Sequence, residues 1–85
     1  MKISKAEFIK ILKANADRFD RQDIAETDKL ADLGVDSIGF VMTIYAIEEK
    51  LKVKIQDADL ASLTPDSHVS DFVRVLAGLG IEIEL

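Results

Sequence analysis

The chain has no cysteine, one histidine, one proline and few aromatic residues, at 6% of 85 positions. Without cysteine it can build no disulfide framework, thiolate nucleophile or thiolate metal site. Any reactive thiol in its chemistry must therefore be supplied by a cofactor. A lone histidine, His68, leaves only carboxylate-rich metal sites. The calcium-loop pattern fails, because counting from Asp57 puts Ser62 at the required glycine and His68 at the terminal glutamate. There is no glycine-rich phosphate loop and no hydrolase triad, so no catalytic residue and no metal ligand is assigned. No apolar run approaches a membrane span, and the Met1-Lys2-Ile3-Ser4 start lacks a signal-peptide pattern. The expectation is a soluble, cytoplasmic monomer without stable membrane insertion. Cations are also in short supply. Eleven Lys and Arg against sixteen Asp and Glu give a net charge of −5, which argues against nucleic acid and anionic membrane surfaces.

What is present is an ordinary globular composition, 48% apolar, in a length that suits one small domain over residues 1–85. Charge is unevenly distributed. Residues 1–21 hold six cations (Lys2, Lys5, Lys10, Lys13, Arg18, Arg21) against three acids, whereas residues 22–49 hold seven acids against Lys29 alone. An acidic middle segment steers basic partner surfaces or simply keeps the protein soluble.

Helical periodicity dominates. Ser4 and Glu7 form a capping box, Ile3 and Phe8 a hydrophobic staple, and Phe8, Ile9, Leu12 and Ala16 recur at helical spacing, predicting a first helix over 5–16. Residues 17–36 form a long connection, with Phe19, Ile24, Leu30 and Leu33 as apolar anchors and a short helical turn near 28–32. A second helix is predicted over 37–51. Its Phe40, Ile44, Ile47 and Leu51 face the core, and Ile38, Val41, Met42 and Tyr45 form another apolar face, for further packing or for a partner. Gly39, inside this helix, costs about 1 kcal/mol relative to alanine. It reads as a tolerated cost near a frayed end, or as room for another backbone or a cofactor arm.

Val53 and Ile55 alternate with polar neighbours in an extended link. A short third helix over 58–63 follows, capped by Asp57 or Asp59, and Thr64-Pro65 interrupts the chain. Val69, Phe72, Val73 and Leu76 define a fourth helix beginning near Ser67 or His68 and closing at Gly78 or Gly80. His68 is a capping or surface residue. Residues 81–85 alternate like a strand without an obvious partner, and form a flexible tail or lie against the bundle. The predicted fold is all-α: a four-helix bundle with three longer helices, a short third helix and a long first loop.

Ser37 stands where the acidic loop meets the second helix. A helix N-terminus offers unpaired N–H groups and a positive dipole end, which stabilise a phosphate attached there. Asp and Ser are also common N-cap residues, so the pair by itself is consistent with a plain cap. The string Leu33-Gly34-Val35-Asp36-Ser37-Ile38 resembles the attachment motif of acyl and peptidyl carrier proteins, roughly Leu-Gly-x-Asp-Ser-Leu. The segment Leu51-Lys52-Val53-Lys54-Ile55-Gln56-Asp57 resembles that family's stretch after its second helix, and the likeness extends over nearly the whole chain. The resemblance implies that a phosphopantetheinyl transferase moves 4′-phosphopantetheine from coenzyme A onto Ser37, with Asp36 supporting recognition. It also implies that acyl-loading and acyl-processing enzymes meet the second helix at Ile38, Val41, Met42, Tyr45, Glu48 and Glu49, with Asp57 extending the surface.

The chain departs from fatty-acid-synthesis carriers in this region. Ile38 replaces the usual leucine, Gly39 stands at a usual acid, and Met42 at another. Lys50, Lys52 and Lys54 make the far end of the helix basic. The expectation is a specialised carrier of a lipid or secondary-metabolite pathway rather than the housekeeping type. A carrier of aminoacyl or polyketide intermediates is the alternative within the family. A helical interaction module without a prosthetic group is the alternative outside it.

Overall fold

The computed structural model describes residues 1–17, 19–20 and 23–85. Arg18 and Arg21 of the basic first segment lie outside the described residues. In chain order the elements are strand β1 (Lys2–Ile3), helix α1 (Lys5–Asn15), a 3-10 turn (Ala31–Leu33), helix α2 (Ser37–Leu51), a second 3-10 turn (Asp57–Leu60), helix α3 (Val69–Gly78) and strand β2 (Glu82–Ile83).

The start of α1 follows the sequence closely. Ser4 Oγ accepts from the Glu7 N–H at 3.2 Å, and the Ser4 N–H donates to Glu7 Oε1 at 3.1 Å. Ile3 and Phe8, the staple pair, are both fully buried. Glu7 also carries a tertiary contact. Lys50 Nζ lies 2.6 Å from Glu7 Oε2 and ties the end of α2 to the start of α1. The Lys50 ammonium, with the Ser4 N–H and hydroxyl, holds the Glu7 carboxyl down from 4.5 to about 2. A depressed carboxyl contributes stability that is complete above its unfolded value and is lost as pH falls through the folded one. Melting of Glu7→Gln beside wild type is therefore expected to show a deficit at neutral pH that shrinks below pH 4.5 and closes near pH 2. A deficit independent of pH would assign the effect to packing.

The core joins the three helices. Phe8 and Leu12 of α1, Ile44 and Ile47 of α2, and Val69, Phe72 and Leu76 of α3 are buried. Phe72 is its aromatic centre, stacked on Phe8 at 5.6 Å between centroids and met edge-on by Phe40 at 6.0 Å; both separations lie in the favourable range for ring pairs. Phe40 and Leu51, assigned to the core stripe of α2, are half-buried against this cluster.

The described part of the long first connection is pinned by its anchors. Ile24, Leu30 and Leu33 are buried, and Phe19 packs partly buried beside them. Its backbone is laced to the chain before and inside α3: Leu30 N–H donates to Ser67 O, Ala31 N–H to Pro65 O, and Val69 N–H to Asp28 O. The helical turn expected near 28–32 forms at Ala31–Leu33 and closes on Gly34, at φ +88°. That left-handed conformation suits glycine, which has no Cβ to clash.

Two expectations are corrected. The four-helix bundle becomes three α-helices, because the predicted third helix is only the 3-10 turn Asp57–Leu60. Leu60 is half-exposed and none of the turn's four residues is buried, so the turn has little apolar contact of its own to favour an α-helix, and Leu63 is buried just beyond it. The C-terminal residues do have a strand partner. Glu82 and Ile83 pair in parallel with Lys2 and Ile3, through Glu82 N–H to Met1 O (2.7 Å) and Glu84 N–H to Ile3 O (2.9 Å). Ile81 and Ile83 are buried, so the alternation in this segment is that of a strand with one face in the core.

Candidate functional site

Three stretches meet at the N-terminus of α2. The Gly34 turn delivers the chain, and the Asp17 N–H, just past α1, donates to Gly34 O at 3.0 Å. Val35 is buried and pins the approach, while Asp36 and Ser37 are exposed. Pro65 comes from the segment before α3, and together these residues line an open depression of about 530 Å³ around Ser37.

Asp36, not Ser37, is the N-cap. Its Oδ1 accepts from the Gly39 N–H at 2.7 Å, and its carbonyl accepts the first helical bond, from Phe40, at 2.8 Å. Ser37 is the first helical residue. Because the neighbour does the capping, the Ser37 hydroxyl makes no hydrogen bond among the described residues. The Ser37 and Ile38 N–H groups are likewise without partners there, as the first turn of a helix leaves them. An exposed, uncommitted hydroxyl beside two free N–H donors, at the positive end of a 15-residue helix, is a place where an attached phosphate is stabilised. Among the described residues, Asp17 and Asp36 are the charged ones lining the depression.

A family model described as "phosphopantetheine attachment site" matches residues 6–76. The chain belongs to this family. Carriers of this family bear a covalently attached 4′-phosphopantetheine group and are not enzymes; they work with a phosphopantetheinyl transferase and with acyl-processing enzymes. No solved structure matches the chain. The match ends inside α3, so both strands of this carrier lie outside it. The residues present fit the group: a nucleophilic oxygen open to solvent, free N–H donors beside it, and space around it. Among the described residues no cluster of His, Asp and Glu forms a metal site, and no helix is long and apolar enough to cross a membrane. His68 directly precedes α3, its N–H donating to Asp71 Oδ2 at 3.1 Å.

The residues expected to meet partners are not all brought together. Ile38, Val41, Met42 and Tyr45 of the carrier are 74%, 45%, 47% and 58% exposed, so the second apolar stripe of α2 is left uncovered rather than packed on the loop. Val41, Tyr45, Glu48 and Asp57 are brought together around a cleft of about 280 Å³ beside Ile55 and Leu60. Glu48 has an internal task there, accepting from the Ile55 N–H at 2.7 Å and tethering the extended link to α2. Glu49 stands apart, lining a groove between α1 and α2 with Lys10 and Lys50.

Gly39 is explained by a backbone, as one of the two readings allowed. A Cβ at this position would sit 2.3 Å from the Asn15 carbonyl oxygen at the end of α1, too close for any side chain. The frayed-end reading is set aside, since Gly39 is buried and its N–H is bound to the cap. Sequence reasoning missed Thr43, whose hydroxyl donates to the Gly39 carbonyl at 2.8 Å and which is 1% exposed. The signal available was its position four residues after the glycine, the spacing at which threonine bonds back to a helical carbonyl.

Proposed function

We propose that this chain carries acyl intermediates as thioesters on 4′-phosphopantetheine attached to Ser37 Oγ, and presents them to enzymes of a specialised lipid or secondary-metabolite pathway. The observation that carries the reading is the division of labour at the start of α2, where Asp36 caps the helix and leaves the Ser37 hydroxyl exposed and unpaired. In attachment, Ser37 Oγ forms the new bond to phosphorus and surrenders its proton to the transferase, as 3′,5′-ADP leaves from coenzyme A. When bound, the group supplies the thiol that a chain without cysteine lacks. The residues of this chain then orient the attachment point, spread the phosphate charge over the first-turn N–H groups and offer α2 to partners.

The uncovered face of α2 supports partners that read apolar contacts. Ile38, Met42 and Tyr45 are exposed on it, Met42 where a housekeeping carrier has an acid, and burying them supplies an association energy that salt does not screen. Asp36 and Asp57 remain exposed near the two ends of this face for electrostatic steering.

The test is a mass measurement. Unmodified protein incubated with coenzyme A and a broad-specificity phosphopantetheinyl transferase is expected to gain one phosphopantetheine, located by peptide mapping to the segment containing Ser37. An unchanged mass with several transferases would favour the helical interaction module, in which Asp36-Ser37 is a cap and nothing more.

A further inference from the structure

We infer that Gly39 and Thr43 are positioning residues that seat the first turn of α2 against the end of α1 and so fix where the Ser37 hydroxyl stands. The inference rests on Ser37 being the attachment point. Every group of Gly39 is engaged. Its missing side chain admits the Asn15 carbonyl, its N–H is held by Asp36 Oδ1, and its carbonyl takes the Thr43 hydroxyl in addition to its place in the helix. Thr43 is the one buried polar side chain among the described residues. A threonine bonding back to the carbonyl four residues earlier often bends a helix, and here the carbonyl it takes is that of Gly39, in the turn that begins with Ser37. The seat has a second fastening in the Asp17 N–H to Gly34 O bond, which joins the residues flanking the same crossing.

The arrangement links helix packing to the site. A Cβ on residue 39 meets backbone at 2.3 Å, where ordinary contact begins near 3.4 Å, so α1 and the first turn of α2 must part by about 1 Å. The neighbour that would have to yield is a main-chain carbonyl, and no rotamer change relieves it. Asp36 Oδ1, 3.2 Å from the same Cβ position, is crowded as well, so the cap loosens and Ser37 moves with it. The same contact forbids an acidic side chain at this position, which makes the apolar character of the adjoining face partly a consequence of how closely the two helices cross.

The test compares wild type, Gly39→Ala, Thr43→Val and Thr43→Ser in transferase kinetics with coenzyme A, with amide hydrogen exchange on the unmodified proteins. Gly78→Ala is the control, since nothing lies within 4 Å of a Cβ there. Gly39→Ala is expected to lose about tenfold or more in kcat/KM, because a shift near 1 Å misplaces the attacking oxygen. The loss should fall on kcat rather than KM, since the outward face of α2 is unchanged. Thr43→Val is expected to lose up to about fivefold, the worth of one hydrogen bond, and Thr43→Ser to restore it. The amide of residue 39, corrected for its intrinsic rate, should exchange about tenfold faster in Gly39→Ala and in Thr43→Val, as the cap opens more often. If Gly39→Ala does not fold, the threonine pair decides. Wild-type kcat and wild-type exchange in folded variants would overturn the inference while leaving attachment at Ser37 intact. A wild-type protein that accepts no group from any transferase would overturn both.

Discussion

Ser37→Ala is expected to abolish phosphopantetheine uptake completely while leaving the fold as stable as before. The two halves of that result have separate causes. Uptake needs an oxygen that can bond to phosphorus, and no neighbouring residue offers one in its place: Asp36 is engaged with the Gly39 N–H at 2.7 Å, and Ile38 and Gly39 carry no hydroxyl. Stability is spared because Ser37 is exposed and its hydroxyl is unbonded among the described residues. Alanine is also the better helix former, by a few tenths of a kcal/mol. The contrast lies one residue earlier, where losing the Asp36 cap costs about 1 kcal/mol. Intact mass and thermal melting measured on one preparation check both halves. A residual mass gain would move the attachment elsewhere, and a large fall in Tm would make Ser37 a structural residue.

Ending the chain after Gly80 is expected to destabilise it severely. Residues 81–85 include Ile81 and Ile83, buried to 1% and 4% exposure, and the donors of the two bonds to Met1 and Ile3. Full burial of an isoleucine is worth about 1.5–3 kcal/mol, so the pair represents about 3–6 kcal/mol. A domain of this size has total stability near the low end of about 5–15 kcal/mol. The truncated protein should lose at least about 12 °C in Tm, taking about 4 °C per kcal/mol, or fail to fold at 37 °C. Circular dichroism melts decide it. A shift under about 3 °C would mean that these residues only rest on the surface.

The truncation and the Ser37 substitution probe opposite kinds of information. The Ser37 site was readable because its parts lie within a few consecutive residues. A turn glycine, a capping acid, an exposed serine and the apolar pattern of α2 are set by local backbone preferences, and local preferences are written in adjacent letters. The capping box at Ser4 and Glu7 and the buried stripe Val69, Phe72, Leu76 were legible for the same reason. The likeness of Leu33–Ile38 to the carrier motif then carried the reading from a helix end to a prosthetic group.

Other features depend on residues far apart in the chain. The partner of Ile83 is Ile3, and no period or spacing announces a pairing across the whole length. The predicted third helix is a 3-10 turn, although Leu63 at its predicted end is buried. Which apolar stripe of α2 stayed in solvent was settled by where α1, the long loop and α3 packed; Ile38, Val41, Met42 and Tyr45 are as apolar in letters as Ile44 and Ile47. Gly39 shows the boundary most directly. Its lack of a side chain is visible in the sequence, but the reason is a carbonyl 24 residues earlier that arrives only when two helices cross. The sequence alone determined the three longer helices and the candidate attachment serine at the start of α2, through torsional preference and hydrogen bonding between near neighbours. Only the tertiary structure decided which surfaces were left open and how tightly that start is held, because burial and close approach are properties of pairs that chain order does not reveal.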